Sequence, residues 1–274
     1  MSARGDRLLA TRAWDGTEPG VLLVHGTGFN KELWDPVIAA LIAREGPVAG
    51  VAVDQRGHGA SSAMAIPMDW SQIGDDVAQV VASSDPRPRI GVGHSSGGAA
   101  IAMAAIADRE AFDHLVLIEP IIQSPPNHRH EDDPMAAAAE RRRSSFPDRS
   151  AARGYLAGKS PYEHWVEAAM DAYVEHGLRD DDGEVVLACA PATEAEHYRA
   201  GWAHSTWDHL PHIHQPVTLI VGSESTTHHG RYLSELTARF SDVELQVVPG
   251  ASHLVPMERP EVIAAAIRNA RNSG

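Results

Sequence analysis

Gly93-His94-Ser95-Ser96-Gly97 is the stretch on which the reading of this chain turns. It follows the apolar run Arg89-Ile90-Gly91-Val92 and precedes the small-residue run Gly98-Ala99-Ala100-Ile101-Ala102-Met103-Ala104-Ala105. That order is strand, sharp turn, helix, with a serine at the apex, and G-x-S-x-G in this setting is a nucleophile elbow. The turn forces the serine into strained backbone, so its neighbours must be glycine or similarly small. The strain lifts the Ser95 hydroxyl clear of the sheet, and the N–H groups opening the helix favour negative charge at the same spot.

Outward from the elbow, short apolar runs alternate with helical patterns. Strands are expected near residues 8–13, 21–24, 48–53, 90–93, 115–118, 217–221 and 245–248, and helices over residues 34–44, 69–83, 96–107, 232–240 and 261–271. The strand runs are apolar throughout, as in parallel strands buried on both faces, and the alternation implies an α/β fold with a mostly parallel sheet flanked by helices. Residues 121–215 break the alternation. They contain no convincing strand, but helical stretches near residues 135–143, 162–176 and 193–203, and so read as a helical cap. The expected division is a core of residues 1–120 and 216–274 with the cap at 121–215.

Composition narrows the function. The 274 residues are 43% hydrophobic, enough for a sizeable core, and the formal net charge of −14 argues against nucleic acid or an anionic membrane surface as partner. Arg141-Arg142-Arg143 therefore reads as a solvated helix face. The single cysteine, Cys189, excludes an internal disulfide and is expected as a small buried filler. No apolar h-region stands near the N-terminus and no stretch is long and apolar enough to span a bilayer, so a cytoplasmic location is expected.

A serine hydroxyl needs a base. His253, in Pro249-Gly250-Ala251-Ser252-His253-Leu254-Val255-Pro256 after the last strand, is placed for it. The histidine needs a carboxylate, and two compete. Glu224 follows the strand at 217–221, but the positions three and four past Gly222, where an aspartate is common, hold Ser225 and Thr226. Glu119 ends the run Leu115-Val116-Leu117-Ile118, beside the elbow strand, where an acid is expensive to bury without a partner, and is the preferred candidate. An oxyanion hole would take the N–H of Ser96 and a second from Val24-His25-Gly26-Thr27-Gly28-Phe29, assigned to Thr27 with Gly28 as the neighbour. His25, His58 and His94 read as turn and packing residues. Tyr155, Trp165, Tyr173, Trp202 and Trp207 are candidates for pocket walls, although a place in the cap's own core is the simpler expectation for any one of them. Histidine pairs such as His128/His130, His212/His214 and His228-His229 lack a second ligand pair at metal spacing, and neither metal nor cofactor is expected.

These pieces together resemble the α/β-hydrolase fold: HGTG at 25–28, DQRGHGASS at 54–62, GHSSGG at 93–98, LIEP at 117–120, LIVG at 219–222 and PGASHLVPMERPE at 249–261. The match covers both core segments in family order and leaves the cap unmatched. The resemblance is to the subgroup whose acid, and cap, follow the sixth strand, including zearalenone-hydrolase-like lactonases and capped esterases. It implies a serine hydrolase acting through an acyl-enzyme on a small to medium, apolar ester or lactone, with Ser95, His253 and Glu119 as the catalytic set. An acyltransferase or C–C bond hydrolase on the same residues, or a small-molecule receptor without turnover, are the alternatives.

Overall fold

The computed structural model describes residues 9–273. In chain order the first half runs β1 (Thr11–Trp14), β2 (Thr17–Val24), α1 (Asp35–Glu45), β3 (Val48–Val53), α2 (Ser71–Ser83), β4 (Ile90–His94), α3 (Ser96–Ala107) and β5 (His114–Ile118). The stretch 121–215 holds α4 (Pro134–Arg141), β6 (Ser145–Phe146), α5 (Arg149–Ala157), α6 (Glu167–His176), β7 (Leu178–Asp181), β8 (Glu184–Leu187), α7 (Pro191–Ala200) and α8 (Thr206–His209). The chain then closes with β9 (Val217–Gly222), α9 (Gly230–Thr237), β10 (Val243–Val248), α10 (Val255–Glu258) and α11 (Pro260–Asn272). Leu8, expected at the start of the first strand, lies outside the described residues.

The main sheet has the order β1-β3-β2-β4-β5-β9-β10, parallel at every junction except β1 with β3. Apolar side chains at successive positions feed two cores. Leu22 and Val24 of β2 join Ile73, Val77 and Ile101 of α2 and α3 on one face. Val21 and Leu23 join Val37, Leu41, Ile263 and Ile267 of α1 and α11 on the other. Each such buried side chain contributes about 1.5–3 kcal/mol, which is why the strands read as unbroken apolar runs. β10 departs from that reading. It is an edge strand, with Leu245 39% and Val247 48% exposed, because nothing in the described residues covers its outer side.

The segment 121–215 is mainly helical but not strandless as expected. β6, β8 and β7 form a separate three-stranded antiparallel sheet. Its hairpin turns at Asp182-Gly183, both at positive φ (49° and 91°), the signature of a two-residue turn that the sequence carried openly. Phe146, Leu156, Trp165, Met170, Tyr173 and Leu187 make a core of their own here, closed against Leu33, Leu254 and Met257. The segment also sits on the loops at the carboxyl ends of β2 and β3. A Cβ on Gly57 would lie 2.6 Å from Thr193, and one on Gly28 would lie 3.0 Å from the Glu194 carboxylate.

Candidate active site

Strand β4 delivers Ser95 at φ 55° and ψ −118°, a conformation that costs an ordinary residue on the order of 1–3 kcal/mol. The turn is held by its glycines. A Cβ on Gly93 would lie 2.3 Å from the Gly97 carbonyl oxygen, and one on Gly97 would lie 2.2 Å from the Val24 carbonyl oxygen. The Ser95 N–H still donates to the Ile118 carbonyl at 2.9 Å, so the elbow stays stitched to β5. Ser96 opens α3, and its N–H, like that of Thr27, makes no hydrogen bond among the described residues. The Gly28 N–H is taken: it donates to His58 Nε2 at 2.8 Å. Of the two neighbours considered from the sequence, Thr27 and Gly28, only Thr27 has its N–H without a partner among the described residues.

Glu119 is fully buried, one residue past the end of β5, with φ 49°. Its Oε2 lies 2.9 Å from His253 Nδ1. Glu224 is exposed, and its carboxylate bonds the adjacent Ser223 hydroxyl at 3.2 Å. The Glu119 carboxylate also accepts the Gly222 N–H at 2.8 Å, the Ser225 hydroxyl at 2.7 Å and the Thr227 hydroxyl at 3.1 Å, with His228 Nδ1 2.7 Å away. Burial alone would push the carboxyl up. The interactions with His228 and His253 outweigh it and hold the group below the usual carboxylate range, so it stands as an anion.

Ser225, Thr227 and His228 cradle this acid, and reading the sequence missed all three. One signal was available: Ser225 occupies the place where an aspartate is common, and its hydroxyl donates to the glutamate that comes in from β5 instead. His25, His58 and His94 are locked by their neighbours. His25 Nδ1 donates to the Gly26 carbonyl at 2.7 Å and Nε2 accepts the Gln55 N–H at 3.1 Å. His58 Nδ1 donates to the Arg56 carbonyl at 3.0 Å, which leaves Nε2 as the acceptor for Gly28. His94 Nε2 donates to the His253 carbonyl at 2.9 Å, tying the elbow to the histidine loop. Burial pushes the His58 imidazole down to about 4 and that of His94 down to about 3, so both remain neutral at pH 7.

The pocket-wall candidates divide. Trp165 and Tyr173 pack edge-on against Phe29 of the loop after β2, with ring centroids 5.6 and 6.0 Å away, and Phe29 stacks near His94. Gly28 faces Glu194, whose carboxylate is held by Arg142 at 2.5 Å. The other three are engaged elsewhere. Trp202 stacks on His130 and donates to Asp133 at 3.1 Å. Trp207 stacks on Tyr232 and lines a cavity of about 770 Å³ that includes none of the residues just described. Tyr155 is 37% exposed, beneath the side chains of Arg143 and Lys159. The run Arg141-Arg142-Arg143 is thus not a uniformly solvated face, since Arg142 turns inward. Cys189 is buried, with its thiol pushed up by desolvation.

Residues 21–266 match the family model described as the alpha/beta hydrolase family. The chain belongs to this family. A 2-(acetamidomethylene)succinate hydrolase of Mesorhizobium japonicum is 27% identical over 256 residues, 93% of this chain and 88% of that protein. The esterase YbfF of Escherichia coli is 26% identical over 224 residues, 81% and 82% of the two chains. Among solved structures, an E-2-(acetamidomethylene)succinate hydrolase superimposes with a TM-score of 0.80 at 26% identity, over 98% of this chain and 97% of the other. No helix among the described residues is long and apolar enough to cross a membrane.

Proposed function

We infer that the protein is a serine hydrolase that opens a carboxylic ester or lactone through an acyl-enzyme. The observation that carries this reading is the contact of the buried Glu119 carboxylate with His253 Nδ1, together with a serine on a strained elbow whose neighbour His94 bonds the His253 carbonyl. In the mechanism Ser95 attacks the carbonyl carbon while His253 Nε2 takes its proton. Glu119 fixes His253 in the tautomer with the proton on Nδ1 and stabilises the imidazolium that forms. The negative oxygen is received by the N–H groups of Ser96 and Thr27, each worth roughly 3 kcal/mol in the transition state. His253 then protonates the leaving alkoxide, and water repeats the sequence to free the acid. Phe29, Trp165 and Tyr173 supply an apolar wall, while residues 121–215 act as a cap over the carboxyl ends of the strands.

A second reading has a specific motive. The relative that aligns over 93% of this chain is named as the hydrolase of an acetamido compound, so amide cleavage on the same residues is the alternative bond type. Labelling by a fluorophosphonate probe at Ser95, with turnover of p-nitrophenyl esters and small lactones, tests the first reading. Labelling with turnover of N-acyl enamines but not of esters would favour the second. Failure of the native protein to label would remove both.

A further inference from the structure

Glu119 Oε2 is the meeting point of two imidazoles, and the mechanism uses only one of them. His228 is 2% exposed, with Nδ1 2.7 Å from that oxygen and Nε2 3.0 Å from the carbonyl oxygen of Pro120. A carbonyl only accepts, so Nε2 carries an N–H, and a carboxylate oxygen only accepts too, so the 2.7 Å approach of Nδ1 is bridged by a proton that an incoming cation would displace. His253 Nδ1 reaches the same oxygen at 2.9 Å. The three donor atoms all lie within 4.8 Å of one another.

We propose that Glu119, His228 and His253 form a binding site for a divalent transition-metal ion of the zinc or copper type, and that the ion switches the hydrolase off. Two imidazoles and a carboxylate are a donor set such ions take, and an imidazole whose outer nitrogen donates to a carbonyl is held ready for coordination. With metal–ligand bonds of about 2.0–2.1 Å, tetrahedral donors stand about 3.3 Å apart, so the present contacts must widen by about half an ångström. His253 can supply that movement, since it sits in a loop and its side chain is 26% exposed. The hydroxyls of Ser225 and Thr227 would turn aside from Oε2.

Proton accounting gives the consequence. Coordination at Nδ1 of His253 moves the ring's one proton to Nε2. That nitrogen then has no lone pair with which to take a proton from Ser95. No proton is gained or lost at His253, and the ion takes no part in bond cleavage. The inhibitory half of this proposal rests on the serine-hydrolase reading, whereas the binding half does not.

The test titrates chelator-treated protein with ZnCl2 by calorimetry and, in parallel, follows ester turnover. The expected result is one zinc ion per chain, binding weakened at least about tenfold in His228→Asn and unaltered when His128 and His130 are both changed to Ala. Turnover should fall over the same zinc range and return on adding EDTA. Zinc binding that is absent, or equally strong in His228→Asn, overturns the site. If His228→Asn does not fold, a zinc-soaked crystal of the native protein decides: an anomalous peak about 2 Å from Glu119 Oε2 and both Nδ1 atoms supports it, and a peak only elsewhere overturns it. Binding at the cluster in a protein that turns over no ester would support the site and sink the catalytic reading instead.

Discussion

At the scale of single residues, the site depends on where one negative charge is kept. Ser95→Ala is expected to lower kcat by on the order of 10³-fold or more with the fold retained, because members of such a set act as a unit. Near-normal turnover of the purified variant would remove the serine-hydrolase reading. Glu119→Gln keeps shape but loses the charge that fixes the His253 tautomer, and kcat should fall by about 10³–10⁴-fold. Glu224→Gln, on an exposed side chain, should stay within about twofold of the native enzyme. Steady-state ester kinetics on the two variants check the pair, and the reverse order of effects would place the acid at 224. The preference for Glu119 was legible because an acid after four apolar strand residues has few reasons to be there. His228 was not legible. Nothing in its spacing from Glu119 or His253 marks it, since the three residues meet only once β5, β9 and β10 lie side by side.

At the scale of elements, the elbow and parallel strands were readable from local sequence, and the small sheet of β6, β7 and β8 was not. Its strands are two to four residues long, and β7, with Arg179, Asp180 and Asp181, has no apolar run. Only the short run Val185-Val186-Leu187 of β8 and the Asp182-Gly183 turn announced it. The inward turn of Arg142 was hidden by its basic neighbours. Its guanidinium donates to Glu194 at 2.5 Å, to Tyr162 Oη at 3.0 Å and to Tyr173 Oη at 3.1 Å, joining the end of α4 to α6 and α7. Arg142→Ala would strand the buried Glu194 carboxylate against Gly28 in the loop after β2, at a cost of about 3–5 kcal/mol. Adding Glu194→Gln should recover part of the loss. Urea unfolding of the single and double variants measures this, and a single-variant change below about 1 kcal/mol would show that the ion pair does not tie these helices together.

At the scale of the whole molecule, the two cores on either side of the sheet were foreshadowed by the unbroken apolar strands, and the histidines were not. Desolvation pushes His25, His58, His94, His197 and His204 below the usual imidazole value, His58 and His204 to about 4 and His94 to about 3. In the unfolded chain each binds its proton near pH 6.5, while in the native protein it stays neutral to lower pH. The unfolded state therefore holds more protons between about pH 6.5 and pH 3, and stability falls as pH falls through that window. Each histidine contributes at most about 1.4 kcal/mol per pH unit. The carboxylates held below their usual range, such as Glu119, add their own loss only below about pH 4.5. The urea midpoint, measured at moderate salt to screen the net charge of −14, should already drop between pH 7 and pH 5. A flat midpoint over that interval would mean that the histidines are not buried as described.

The ladder between β4 and β5 pairs His94 with Ile118, which puts Ser95 and Glu119 at one level on neighbouring strands. From there the Glu119 carboxylate leans across into the mouth of the β9 loop, accepting from the Gly222 N–H and from Ser225. The seat of the acid is therefore reachable from two directions, and the fold does not dictate which strand must furnish it. A lineage could transfer the carboxylate from one loop to the other by two point changes while the histidine never moved. In the laboratory the same route is open. Glu119→Asn, short and tolerant of positive φ, should be nearly inactive, and adding Ser225→Asp should raise kcat at least about tenfold again. A double variant no more active than the single one would show that the seat admits its charge from β5 alone.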